Sequence, residues 1–207
     1  KNIRPIMNGI FFDVNPEVLT FVATDAHKLV KLTIAGQFEV DQNVTFILPK
    51  KPAQMIRGFL AKESGMVRVE FDEKNIHFIT PDTTIICRAI EGKYPNYNSV
   101  IPTTNKNKLV VDRRMFLNSV KRVSVCSDQS SNLVKLSIVG NNINLVAKDL
   151  DFSTSAEDNI PCSHDGEPIV IGFKSEHLID MLSAANQQNM SVELSDSTRA
   201  GLFIPVD

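Results

Sequence analysis

Tryptophan is absent from this 207-residue chain, and tyrosine occurs only at Tyr94 and Tyr97. That leaves no aromatic platform on which successive bases could stack. Cysteine is sparse as well: Cys87, Cys126 and Cys162 are odd in number, far apart and without a CxxC pair. Such spacing argues against a structural zinc site and a disulfide framework, and it suits a reducing cytosol. No apolar run approaches the roughly 20 residues that span a bilayer, and no stretch resembles a signal peptide. A GxSxG elbow, a phosphate loop, a dinucleotide fingerprint and HxH or HExxH spacing are all missing, which removes the usual hydrolase, nucleotide and zinc readings. The opening KNIRPIMNGIFFDV lacks an initiator Met and runs almost straight into a strand-like segment, as expected of a piece of a longer chain.

What is present is ordinary in amount: 43% of residues are apolar and 22% charged, enough for a real core. The length suits one large domain or two of roughly 100 residues. Self-similarity favours two. FVATD (Phe21–Asp25) matches LVAKD (Leu145–Asp149), FILPKK (Phe46–Lys51) matches VIGFKS (Val170–Ser175), and VEF (Val69–Phe71) matches VEL (Val192–Leu194). All three matches share nearly one offset, so the chain reads as two copies of one domain with a seam in the polar Pro102–Lys108 stretch.

Each copy reads mainly as strands, with β-branched and aromatic residues in partial alternation in LTFVATD, VRVEFD, NIHFIT and TTIICRAI. Three helices interrupt them. PKKPAQMIRGFLAK carries Pro52 in its first turn and Met55, Ile56, Phe59 and Leu60 on one face. VDRRMFLNSVKRVSV has Asp112 as N-cap, Phe116, Val120 and Val123 inward, and Arg114, Asn118, Lys121 and Arg122 outward. The third, from Ser175 as N-cap to Asn186, buries Leu178, Ile179 and Leu182.

Charge is unevenly placed. The net is −2, yet the first two helical segments carry +4 and +3, the third −1, and everything else −8. Two basic helices on an acidic body are either solvated outer faces or a surface for phosphates, read by charge and not by base edges. No recognition helix or zinc finger accompanies them.

Asp25 and His27, between apolar flanks in VATDAHKL, admit two readings. One is a metal-dependent hydrolase centre, which needs a third and fourth ligand; His77, His164 and His177 stand apart. The other is a turn in which Asp25 accepts backbone N–H bonds, with His27 at the surface or against a partner.

NGIFFDV followed by LTFVATDAHKL, then EGKYPNYNSVIP and IGFKSEHLIDML, resemble in order and distance the bacterial DNA polymerase III beta subunits, the replicative sliding clamps. The likeness covers essentially the whole chain. It implies an α+β class: a repeated clamp fold with antiparallel sheets outside and helices facing a central channel. Residues 1–102 correspond to the family's second copy without its first helix, and residues 103–207 to the third copy without its C-terminal strand and tail. The family implication is a non-catalytic processivity factor, needing no cofactor or metal, cytoplasmic and nucleoid-associated. It encircles double-stranded DNA as a head-to-tail homodimer ring, without sequence preference and without membrane contact. It holds the polymerase III alpha subunit, the clamp loader and repair proteins through Gln-x-x-Leu-Phe-like motifs, in a groove between the second and third copies.

Carried over residue by residue, that groove takes Thr24, Ala26, His27, Lys28, Leu29, Pro95 and Val100, together with Ser131, Lys174, His177, Thr198 and Ala200. The DNA-facing set is Arg4, Lys50, Lys51, Arg57, Arg114, Lys121 and Arg122. The chain departs from the pattern at Ala26, where Gly is common, at Lys28, where Arg is common, and at Ser99, where a basic residue can occur. Glu176 and Asp180 depart from a basic lining on the third helix.

Overall fold

Alternating burial explains the strands of the first unit. In the computed structural model, which describes residues 4–72 and 74–207, the chain divides into units Lys1–Tyr97 and Asn98–Asp207. The first unit runs β1 (Gly9–Val14), β2 (Val18–Thr24), β3 (Leu29–Ala35), β4 (Val44–Pro49), α1 (Lys50–Leu60), β5 (Arg68–Phe71), β6 (Asn75–Ile79) and β7 (Thr84–Arg88). Its sheets have the orders β3-β2-β1-β4 and β5-β6-β7. Phe12 and Val14 on β1, and Ile76 and Phe78 on β6, alternate with half-buried neighbours and turn inward toward Phe46, Leu48 and Ile56. The Phe12 ring stacks on Phe46 at 4.5 Å and meets Phe21 edge-on at 4.7 Å. Every observed strand pairing is antiparallel, in keeping with the clamp-like α+β class.

Helix α1 shows one departure from its expected inner face. Ile56 is buried and Phe59 and Leu60 half-buried, but Met55 is 67% exposed. The buried stripe lies three and four residues from Ile56, whereas Met55 is one residue away and therefore about 100° around the helix.

The second unit runs β8 (Asn107–Asp112), α2 (Arg113–Ser124), β9 (Leu133–Val139), β10 (Asn142–Asp149), β11 (Thr154–Pro161), β12 (Ser163–Asp165), β13 (Ile169–Lys174), α3 (Ser175–Ala184), β14 (Asn189–Leu194) and β15 (Leu202–Val206). Sheets β11-β10-β9-β13 and β12-β8-β14-β15 enclose a core that includes Phe116, Val120, Leu136, Ile143, Leu178 and Leu182. Asp112 caps α2 by accepting from the Met115 N–H at 2.8 Å, as its sequence position implies. The third helix starts differently from expectation: Lys174 is the N-cap and Ser175 the first helical residue, buried, with its N–H given to Asn132 O.

Arg113, which the sequence reading counts only within the +3 of its helical segment, is turned into the protein. It is only 9% exposed. Its Nε donates to Gln187 O at 2.7 Å and its Nη1 to Leu182 O at 3.0 Å, while its backbone N–H bonds Gln188 O. The guanidinium thus satisfies carbonyls at and beyond the end of α3, where cations are favoured by the helix dipole.

The two units differ in what covers equivalent strands. In the second, α2 packs on β11 and β10, with Ser119 and Arg122 bonded to Asp158 and with Ala156 packed against the core. At the matching positions of β3, Leu32 and Ile34 are 54% and 43% exposed, and Val30 is 53% exposed. No helix among the described residues of the first unit lies over them.

One local device recurs at the turns. The side chains of Asn15, Asp25, Asp72, Asp128, Asp149 and Asp196 each accept the backbone N–H groups two and three residues ahead. These Asx turns satisfy amides that the ladders leave open. Bonds from the Ser130 hydroxyl and the Ser131 amide hold the Asp128 carboxyl down to about 2. The Lys74 and Asn75 amides lower Asp72, and the Thr198 hydroxyl and amide lower Asp196.

Replacing Arg113 by Ala strands buried carbonyls, so the urea midpoint should fall by the equivalent of about 2–3 kcal/mol. Arg114→Ala, one residue on and exposed, should stay within about 0.5 kcal/mol. A folded-state pKa below the unfolded value stabilises above the unfolded value and loses that stabilisation as pH falls through the folded one. The Asp128 turn should therefore hold from neutral pH down past the ordinary aspartate range and open near pH 2. Carboxyl-carbon NMR titration reads this directly, and Ser130→Ala should move the midpoint upward.

Candidate functional site

The β2–β3 hairpin is built from its turn outward. Thr24 pairs with Leu29 across the ladder, and the Thr24 hydroxyl donates to Lys28 O at 2.8 Å while accepting from the Ala26 N–H at 3.2 Å. Asp25 Oδ1 takes the His27 and Lys28 amides at 3.0 and 2.9 Å, and Oδ2 lies 3.8 Å from Lys28 Nζ. Ala26 sits at φ 72°, the left-handed region that glycine enters freely and alanine enters with strain. The expected turn role of Asp25 is what the structure shows. Its carboxylate is occupied by backbone and Lys28. Among the described residues, the only group of three metal-type donors is Asp128, Asp149 and Asp151, which includes neither Asp25 nor His27.

The turn presents Ala26 and His27 outward, both exposed, with Thr24, Lys28 and Leu29 half-buried at its base. Leu29 packs on a small cluster of Val22, Ile47 and Tyr94. Tyr94 stacks on Phe11 at 4.6 Å and 9°, and the following Pro95 is half-buried. The Tyr97 hydroxyl donates to Asp13 at 3.3 Å, and Lys31 Nζ lies 5.5 Å above the Tyr97 ring. Burial pushes the Tyr94 phenol up. Phe11 and Tyr94, which pack at the hairpin base, were not singled out by sequence; their signals were the NGIFFDV and EGKYPNY segments that contain them.

In the second unit the structure draws most of the named residues toward the start of α3. Ser131 lies in the Asp128 turn, and the next residue, Asn132, bonds Ser175 at the foot of the helix that carries Lys174 and His177. Thr198 and Ala200 sit on the Asp196 turn that leads to Gly201. A Cβ at Gly201 would stand 2.9 Å from Leu194 and 3.2 Å from Phe173, so the backbone approaches those side chains as only glycine permits. Phe173, one residue before Lys174, meets Phe203 edge-on at 5.7 Å. Val100, 63% exposed, lines a cavity of about 360 Å³ together with Ala200.

The basic candidates are all exposed: Arg4, Lys50, Lys51 and Arg57 in the first unit, and Arg114, Lys121 and Arg122 in the second. Lys50 and Lys51 occupy the first turn of α1 with no acid beside them. There the positive end of the helix dipole disfavours cations, so local helix stability does not account for them. Arg122 differs from its neighbours: its guanidinium bonds Asp158 through Nε and Nη2. That pair, with Ser119, pulls the Asp158 carboxyl below its ordinary value.

Comparison with known proteins agrees with this geometry. Residues 1–96 match the family model "DNA polymerase III beta subunit, central domain", and residues 98–206 match "DNA polymerase III beta subunit, C-terminal domain". The chain is 28% identical to the beta sliding clamp of Synechococcus elongatus over 98% of its own length and 55% of that protein. It is 27% identical to that of Haemophilus influenzae, over 95% of its length and 53% of the relative. The chain thus spans about half the length of these relatives. Among solved structures, the DNA polymerase III subunit beta of Pseudomonas aeruginosa shares the fold with a TM-score of 0.95 at 24% identity, covering 100% of this chain and 57% of that one. A sliding clamp from Bartonella birtlesii bound to griselimycin gives 0.90 at 33% identity, covering 98% and 55%. With both units matched end to end, the chain belongs to the family of DNA polymerase III beta subunits, the sliding clamps.

Proposed function

We propose that this chain is the client-docking part of a non-catalytic DNA sliding clamp, and that the whole protein encircles duplex DNA as a ring and tethers polymerase and other clients. The observation that carries the docking reading is the Asp25 turn. Two amide bonds and the Thr24 hydroxyl hold a strained Ala26 in place and leave Ala26 and His27 outward without any client present. A wall built in advance spares the ordering penalty that a flexible loop would incur on binding. The candidate docking residues are Thr24, Ala26, His27, Lys28 and Leu29 with Pro95 and Val100 beside them, and, separately, Ser131, Lys174, His177, Thr198 and Ala200; exposed Val100 suits an apolar contact for a Leu-Phe anchor.

The DNA reading rests on charge placement. Arg4, Lys50, Lys51, Arg57, Arg114 and Lys121 are exposed cations on an acidic body, which suits loose, sliding contact with phosphates better than tight sequence-specific grip. Arg122 contributes less, because Asp158 already neutralises it.

Fluorescence anisotropy with a labelled Gln-Leu-x-Leu-Phe peptide should show saturable binding at roughly micromolar concentration, displaced by griselimycin. Val100→Asp should abolish binding with an unchanged circular dichroism spectrum, because this side chain is exposed. Leu29→Asp should also abolish it, though here packing on Tyr94 is disturbed as well. Binding that survives Val100→Asp would remove that residue from the surface, and no binding at all would overturn the docking reading. For duplex DNA, affinity should be weak, indifferent to sequence and steep in salt. Arg114→Ala and Lys121→Ala should each reduce the log–log salt slope by about one, and Arg122→Ala by clearly less.

A further inference from the structure

We infer that Asp158 is a positioning residue that ties Arg122 to β11 and so withholds one positive charge of α2 from DNA. This rests on the DNA reading proposed above and adds to it a residue that sets how loosely the surface holds a phosphate backbone. Asp158 lies on the helix-covered side of β11, between Ala156, which packs on the core, and Ile160, which is buried in it. The internal repeat shows what that place takes in the other copy. Ala147 pairs with Ala156 across its ladder, and the matching Ala23 pairs with Val30. Counting along from there, Asp158 corresponds to Leu32, and Ile160 to Ile34. The strand therefore accepts an apolar side chain at this register, and its pattern does not call for a carboxylate.

What the carboxylate holds is on α2. Oδ1 accepts the Asn159 N–H at 2.9 Å, and Oδ2 accepts the Ser119 hydroxyl at 2.8 Å, Arg122 Nε at 3.1 Å and Arg122 Nη2. Ser119 is fully buried, so one bond anchors the carboxylate from inside while two charge-assisted bonds fix the guanidinium from outside. Arg122 and Ser119 also hold the carboxyl below its ordinary value, which keeps it ionised at neutral pH. At about 100° per residue, Arg114, Asn118 and Lys121 fall within roughly 60° of one another on the exposed side of α2, and Arg122 lies at its margin. Among the described residues, neither Arg114 nor Lys121 has an ion-pair partner. The Arg122–Asp158 pair is neutral as a unit, so a phosphate gains little from it. A guanidinium that swings free leaves the carboxylate behind to repel the same phosphate.

The test is fluorescence anisotropy of a labelled random-sequence duplex, titrated with the chain over a series of salt concentrations. Asp158→Asn keeps an acceptor for Ser119 but frees Arg122. It should bind roughly three- to tenfold tighter in low salt, with the log–log salt slope steeper by about one. Adding Arg122→Ala to that variant should return the slope to its unaltered value. Glu157, bonded to Asn144 at 2.6 Å, lies on the opposite face of β11, so Glu157→Gln removes one negative charge without freeing a cation. Its slope should match that of the unaltered chain. A slope raised equally by Glu157→Gln assigns the effect to net charge and overturns the proposal. A second measurement needs no variant: in the isotope-labelled chain the Arg122 Nε–H signal should stay in place as duplex is added, while that of Arg114 shifts. An Arg122 shift as large as the Arg114 one also overturns the restraint. If Lys121→Ala leaves the slope unchanged, the DNA reading itself falls and the proposal with it. A slope lowered by Lys121→Ala but indifferent to Asp158→Asn overturns the proposal alone.

Discussion

A carboxylate or amide side chain that accepts two backbone amides just ahead of it is the interaction on which this architecture depends. Antiparallel strands need sharp reversals, and each reversal leaves N–H groups outside the ladder. Among the described residues, a single Asp or Asn takes up the pair at five strand reversals, at positions 15, 25, 72, 149 and 196, and Asp128 makes the same turn between α2 and β9. Such a turn fixes where the strands meet, and register in turn decides which face each side chain occupies. The same bonds that set the fold also shape its surface: the turns at Asp25, Asp128 and Asp196 carry candidate docking residues in both units.

Electrostatics follows a related division between charges used inside and charges left outside. Arg113 is turned into the protein to satisfy carbonyls around the end of α3, while Arg114 remains exposed. Arg122 is tied down by Asp158, whereas Lys121 stays in solvent. Four cations lie close together in one helical sequence, yet their environments give them different work. A basic segment read only by counting overstates the charge offered to a phosphate backbone.

Much of this was legible in the sequence where periodicity and side-chain chemistry act locally. The alternation in NIHFIT was legible as a strand, in which the structure buries Ile76 and Phe78, and the Asp112 cap and the inward Phe116, Val120 and Val123 followed from spacing. Asp25 was readable as a turn residue because Asp in a reversal bonds its own backbone. The misses share a cause. The burial of Arg113 depends on carbonyls 69 and 74 residues away, and the Tyr94–Phe11 stack joins opposite ends of a unit. Met55 and Ser175 failed for smaller reasons, one residue of helical phase and one residue of cap position. Contacts distant in sequence leave no periodic trace.

The central claim is that the Asp25 turn is a preformed wall for a client peptide. The measurement that tests it most directly is amide NMR of the isotope-labelled chain, first by hydrogen exchange without peptide and then by shift mapping as the Gln-Leu-x-Leu-Phe peptide is added. The account predicts slow exchange at the His27 and Lys28 amides in the free chain, and shifts on binding confined to residues 24–29, 95–105 and 198–200 and the start of α3. Fast exchange at the turn that slows only on binding, or shifts centred elsewhere, would contradict it.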